Sequence, residues 1–183
     1  MLVVGHEERE DPAPRALAES FTRLAERELD RSYALACLIL GDRDDAEDAV
    51  HDALETAWLR LGSLRDDRRF GAWFGRIVTN TCRDRARRRR IAPITMSALP
   101  EQSAPDQTAG LPERDLLRAA LRELDVDHRI VLALRYYEDL TVEEIARRLG
   151  ERPGTVKSRL HYGLRALRAG LDATARLGAE EQR

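Results

Sequence analysis

The sequence predicts an all-α protein of two small helical bundles joined by a flexible linker, the C-terminal one containing a helix-turn-helix. Leucines and alanines recur at steps of three and four residues through both halves of the chain, and no stretch alternates as a half-buried strand would. Aromatic residues make up only 5% of the sequence against 43% apolar residues, which suits small modules closed by aliphatic seams. Four of the seven prolines, Pro93, Pro100, Pro105 and Pro112, crowd into one stretch that lacks Lys and Arg and is rich in Ser, Thr, Gln and Ala. Proline, polar residues and absent periodicity describe an extended connector. The expected division is a first domain over 18–91, a linker over 92–112 and a second domain over 113–173. Residues 1–17 and 173–183 read as polar tails.

Composition narrows the function classes. The 183 residues carry 33 acids against 31 bases, a net charge of −2, and enough apolar residues for real cores, which excludes wholesale disorder. No apolar run approaches the roughly 18 residues of a membrane span, and Met1 to Val4 is too short for a signal core. Cys37 and Cys82 have no metal-like or CxxC spacing, so a soluble protein of the reducing cytoplasm is expected, with no metal and no cofactor. Every base except Lys157 is arginine, which fits GC-rich codon usage, so arginine density alone says little about nucleic acids. The sorting of charge says more. Residues 42–55 hold seven acids and one Arg, 76–90 seven Arg and one Asp, and 152–168 five bases and no acid. Screening confines each patch to a range of about 8 Å at cellular salt, so two basic surfaces and one acidic surface lie behind the near-zero sum.

In the first domain, DAEDAVHDALETAWLRL opens with Asp44 or Asp45 as the expected cap, acids suited to the positive end of a helix. Val50, Ala53, Leu54, Ala57, Trp58 and Leu61 share one face and are expected inside. Asp48, His51, Asp52 and Glu55 share another. That second face has three readings: a solvated surface, a set of metal-binding or acid–base carboxylates, or a docking surface for a basic partner. After a loop over 62–67 comes RFGAWFGRIVTNTCRDRARRRR, with Phe70, Trp73, Phe74, Ile77, Val78 and Thr81 expected to pack inward. Arg76, Asn80, Arg83, Asp84 and Arg87 form one polar stripe. Arg suits phosphate and guanine, and Asn can pair with adenine, a mixture that a merely solubilising stripe does not need. The run from Arg87 to Arg90 is a less specific phosphate clamp or a solvated end.

In the second domain, 113–125 and 127–137 each give an amphipathic helix, with Leu116, Leu117, Ala120, Leu121 and Leu124, then Ile130, Val131 and Leu134, expected inward. Thr141 and Glu144 make a capping box. Val142, Ala146, Gly150 and Val156 follow the spacing of a helix-turn-helix: a small residue where helices cross, Gly for the turn, a branched residue anchoring the second helix. Pro153 fits the first turn of that second helix. Its outer face shows Thr155, Lys157, Ser158, Arg159, His161 and Arg165, with Arg152 just before it. Hydroxyl and basic side chains at a helix start suit the major groove and the phosphate backbone.

Taken together, the motifs resemble those of bacterial extracytoplasmic-function sigma factors of the sigma-70 family, from about Ala18 to Ala173 and in the family's order. DAEDAVHDALETAW resembles the acidic helix that docks on the clamp helices of the polymerase's largest catalytic subunit. FGAWFGRIVTNTCRDRARRRR resembles the helix that reads and helps melt the −10 element, with Asn80, Asp84, Arg85 and Arg87 at the usual positions. EEIARRLGERPGTVKSRLH resembles the −35 reader, and GTVKSRL is its most specific piece. His51 stands where Gln is common and Arg83 where an apolar residue is usual, which touches a docking contact and promoter preference.

The resemblance implies a promoter-specificity factor rather than an enzyme. Asp48, His51, Asp52 and Glu55 would meet core RNA polymerase. Residues 62–69 would hold a base flipped from the melted non-template strand, at a cost of a few kcal/mol that pocket contacts must offset. Arg76, Asn80, Arg83, Asp84 and Arg87 would hold the opening duplex. Arg152, Thr155, Lys157, Ser158, Arg159 and His161 would enter the −35 major groove. The linker would thread along the active-site cleft and would permit an anti-sigma factor clamped between the domains; no membrane insertion is implied. A stand-alone helix-turn-helix regulator would leave the acidic helix and the first domain's aromatics without a role. A metal-dependent nuclease would need a second ligand-bearing segment.

Overall fold

The computed structural model describes residues 12–91 and 112–181. Seven α-helices follow in order: α1 (Pro12–Leu40), α2 (Arg43–Leu59), α3 (Phe70–Ile91), α4 (Pro112–Arg122), α5 (Val126–Tyr136), α6 (Val142–Leu149) and α7 (Pro153–Glu181). Single turns of 3-10 helix at Leu61–Ser63 and Asp67–Arg69 interrupt the expected loop between α2 and α3. Among the described residues every regular element is helical, as expected. The linker lies outside the described residues apart from Pro112, which opens α4 as a proline at a first helical position can. Neither tail is wholly a tail. α1 begins at Pro12 and α7 runs to Glu181, because both ends are filled with Ala, Leu and Arg, which favour helix.

Local chemistry sets the ends. Asp42, rather than Asp44 or Asp45, caps α2, its carboxylate accepting from the Asp45 amide at 2.9 Å while the two expected residues sit in the first turn. The position just outside the helix is the one whose side chain can reach back to a free N–H. Asp125 caps α5 in the same way by accepting from the Asp127 amide. Thr141 and Glu144 form the expected capping box on α6, and Gly150 ends that helix with φ of 68°, in the left-handed region. A side chain there would be strained, so glycine makes the turn of the helix-turn-helix.

α1, α2 and α3 pack around Leu35, Ile39, Val50, Phe70, Phe74 and Val78. Phe74 has no exposed surface and stacks on Phe70 at 5.5 Å, so truncating it to Ala would cost about 3–5 kcal/mol in transfer and cavity terms. α4 to α7 gather around Ile130, Leu134, Ile145, Leu149 and Val156. These two sets of side chains form one continuous core, because α5 packs against α1 and α3 as well as against α7. Some expected core positions are open. Trp58 is 43% exposed, lying edge-on against Phe21, and Leu116 and Leu117 also face outward. Each lies near a helix end or on a helix covered from one side only, where the apolar stripe is wider than the surface available to bury it.

Candidate nucleic-acid interface

The stripe on α3 is divided by its surroundings. Arg76, Asp84 and Arg87 are exposed and Asn80 is half-buried, so these side chains line an accessible face. Arg83 is turned the other way. Its Nη1 donates to Glu151 at 3.4 Å, its side chain is 18% exposed, and its Nε is buried without a hydrogen-bond partner. α3 is held in register by Phe74 and Val78 beneath it and by Thr79, whose buried hydroxyl donates to the Gly75 carbonyl at 2.7 Å.

The second basic face follows the helix-turn-helix. Gly150 turns the chain, the Arg152 carbonyl accepts from the Thr155 and Val156 amides, and Val156 is fully buried as the anchor. Arg152, Thr155, Lys157, Ser158 and His161 are all exposed along the first turns of α7. Arg159 is not. Its Nη1 grips both oxygens of Glu151 at 2.6 and 2.7 Å and its Nη2 reaches Asp127 at 3.4 Å, tying α7 to the turn and to the start of α5. Tyr162, which the sequence reading passed over, is 57% exposed beside His161, with their rings 5.3 Å apart. The signal was a large aromatic ring outside the buried seam of α7.

The acidic face of α2 is paired from within. Arg85 donates to Asp45 at 3.4 Å, to Asp52 at 3.2 Å and to Asp48, and Arg89 also reaches Asp45. Arg85 therefore turns away from the α3 stripe and joins α3 to α2. Asp48 remains 64% exposed, and each of Asp48 and Asp52 uses only Oδ2 in these bonds. His51 lies 3.4 Å from Glu55 one turn along, both open to solvent.

Other chemistries find little purchase. Burial pushes the Cys82 thiol up to about 12, and desolvation also raises Cys37, so neither is set up as a nucleophile near neutral pH. Among the described residues no three His, Cys, Asp or Glu side chains converge as a metal ion would require. No described helix is long and apolar enough to cross a membrane.

Residues 24–91 match the Sigma-70 region 2 family and residues 120–169 match Sigma-70, region 4. The chain is 38% identical over 141 residues to the ECF RNA polymerase sigma factor SigL of Mycobacterium tuberculosis, covering 74% of this chain and 78% of that one. It is 34% identical over 168 residues to the RNA polymerase sigma-E factor of Streptomyces coelicolor, covering 90% of this chain and 93% of that one. Among solved structures it is similar to the sigma factor RpoE of Bartonella quintana in complex with the anti-sigma factor NepR. That match has a TM-score of 0.69 at 28% identity and covers 83% of this chain and 96% of that one. CnrH in complex with the cytosolic domain of CnrY matches with a TM-score of 0.55 at 26% identity, covering 84% of this chain and 88% of that one.

Proposed function

The chain belongs to the sigma-70 family as an RNA polymerase sigma factor of the extracytoplasmic-function type, and from that premise we propose which of its faces meets which partner. A sigma factor binds core RNA polymerase, confers promoter specificity and initiates DNA-templated transcription. The domain roles are assigned as follows: 18–91 docks on the polymerase and engages the −10 element, 92–112 connects, and 113–173 engages the −35 element. Catalysis stays with the polymerase, so the chain itself is not an enzyme, and it acts in the cytoplasm where the polymerase is. An anti-sigma factor is a further partner, in line with the complexes in which its structural neighbours occur.

One observation carries the assignment: a correctly capped helix-turn-helix presents Arg152, Thr155, Lys157, Ser158 and His161 outward at the start of α7. A helix start offers hydroxyl donors and cationic side chains where base edges and phosphates lie. On α3, Arg76, Asn80, Asp84 and Arg87 take the −10 duplex and its melted non-template strand, and Arg83 joins them once freed from Glu151. Asp48, His51, Asp52 and Glu55 meet a basic surface of the core polymerase, the acceptors being the Oδ1 atoms of Asp48 and Asp52, which the bonds from Arg85 do not use. Arg159 serves by positioning α7.

Run-off transcription with purified core polymerase across a promoter library tests this reading. Selective transcripts are expected only when the chain is added. Changing Asp48 and Asp52 together to Ala should weaken co-elution with core polymerase. Promoter preference should survive once excess core restores binding. Duplex binding at full specificity without polymerase would instead favour a stand-alone regulator.

A further inference from the structure

We propose that Arg85 of α3 is a positioning residue for polymerase binding, its guanidinium fixing the carboxylates of Asp48 and Asp52 in the orientation that the core polymerase grips. The proposal rests on the reading of the acidic face of α2 as the docking surface.

Helical register aims Arg85 at α2. It lies three residues after Cys82 and seven after Val78, both without exposed surface, so it continues the inward side of α3. Asn80 and Asp84, with which the resemblance groups it as a −10 contact, line the accessible face instead. The neighbouring helix makes room. On α2 the side packed inward is Ala46, Ala49, Ala53 and Ala57, none of which keeps any exposed surface. Small side chains at a helix contact let the axes approach, close enough here for an arginine of α3 to reach across. Beside the alanines, Asp45, Asp48 and Asp52 follow one another at steps of three and four residues.

One guanidinium serves all three carboxylates. Its Nε donates to Asp45 at 3.4 Å, its Nη1 to Asp52 at 3.2 Å and its Nη2 to Asp48. The Asp45 side chain is 18% exposed, against 64% for Asp48 and 48% for Asp52. The inner carboxylate is therefore an anchor, and the two outer ones are what a partner can touch. Arg89, one turn further along α3, also pairs with Asp45 and secures that anchor.

Carboxylates one turn apart on a helix repel each other. A cation shared among them offsets the repulsion and holds each to one geometry, bonded through Oδ2 and leaving Oδ1 for a donor on the polymerase. Side chains ordered before contact spare the association that ordering cost. A planar fork can hold three acceptors at once, whereas a lysine ammonium is a point charge on a flexible stem. Charge alone acts in the opposite direction. Deleting a cation makes the α2 face more negative, and a basic partner would then bind more tightly and with a steeper salt dependence. Positioning predicts weaker binding.

The affinity of the fluorophore-labelled full chain for purified core polymerase, followed by anisotropy, decides between them. Arg85→Ala should bind about tenfold more weakly, as expected when two side chains lose their prior order. Arg85→Lys, which keeps the charge and loses the fork, should bind about three- to fivefold more weakly. In a chain already carrying Asp48→Ala and Asp52→Ala, Arg85→Ala should change affinity by less than about twofold, because the groups it positions are gone. Val78→Ala, which opens a cavity on the buried side of the same helix, should lower the urea midpoint and leave core affinity at its starting value. Unchanged or tighter binding by Arg85→Ala would overturn the proposal. So would an equal loss with and without the two aspartates, or a matching loss in Val78→Ala, since either would make Arg85 a brace of the fold. A shifted ranking of promoters at saturating core polymerase would make it a −10 reader instead. The docking reading fails separately. If Asp48→Ala with Asp52→Ala leaves core affinity intact, that reading falls and takes the proposal with it; if that pair loses affinity and Arg85→Ala does not, the positioning role alone falls.

Discussion

Lys157 and Arg159 lie two positions apart on α7, and the helix sends them to different surroundings. Lys157 stands in solvent, while Arg159 is held by Glu151 and Asp127 with three-quarters of its surface covered. From sequence both look like reading residues, because a basic face is recognised by spacing and spacing does not reveal a carboxylate contributed by another element. Arg159→Ala should therefore lower folding stability by about 2 kcal/mol, within the range for losing a charged hydrogen-bond pair that is largely out of water. The urea midpoint should fall with the m-value unchanged. Lys157→Ala should leave that midpoint alone and reduce the slope of log affinity against log salt by about one unit. A stable Arg159→Ala with altered base preference would return this residue to the reading set. The thiols differ in the same residue-by-residue way. Cys82 has a folded-state pKa raised to about 12 by burial, so its protonated form is favoured in the fold. That contribution is complete below the ordinary thiol range and is lost as pH rises from there toward 12. Iodoacetamide at pH 8 should modify half-buried Cys37 and spare Cys82 until denaturant is added; equal labelling of both in the folded protein would contradict the packing around α3.

Elements were the most legible level, and their ends show why. Capping residues act through bonds spanning two or three positions, so Thr141, Glu144, Gly150 and Pro153 could be read directly and stand where expected. Asp42 was missed by two positions, because three aspartates among four residues offer the same chemistry and only the backbone decides which lies outside the helix. The openness of Trp58, Leu116 and Leu117 was not legible either, since a periodic stripe marks which side of a helix is apolar without saying how much of it a neighbour covers. The capping box has a pH signature. Bonds from the Thr141 amide and hydroxyl hold the Glu144 carboxyl below the ordinary carboxylate range. A depressed pKa contributes stability above the unfolded value and loses it as pH falls. Thr141→Ala should thus destabilise the protein by about 1 kcal/mol at pH 7, the usual worth of such a cap, and the gap to the unmodified protein should narrow below pH 4. A gap constant from pH 7 to pH 3 would mean that the box is not formed in solution.

At the scale of the whole molecule the sequence reading stops where contacts become distant. Arg31 and Glu138 are 107 positions apart and Arg83 and Glu151 are 68 apart, and neither pair has any local pattern linking its members. The chain reads as two bundles on a tether because each half has its own amphipathic helices. Yet α5 carries apolar side chains around enough of its circumference to meet both halves, and the buried cluster runs through it without a break. Shared burial has a thermodynamic consequence. Two domains with separate cores melt independently, whereas a common core couples them into one transition. Calorimetry of the free protein should show a single heat-absorption peak with calorimetric and van't Hoff enthalpies equal. Glu138→Gln removes the charge that Arg31 and Arg148 share, and should split that peak into two or drop the van't Hoff enthalpy well below the calorimetric one. Two peaks in the unmodified protein would mean that the shared core contributes too little to couple the halves. One unaltered peak in the variant would mean that the shared apolar core couples the halves without this carboxylate.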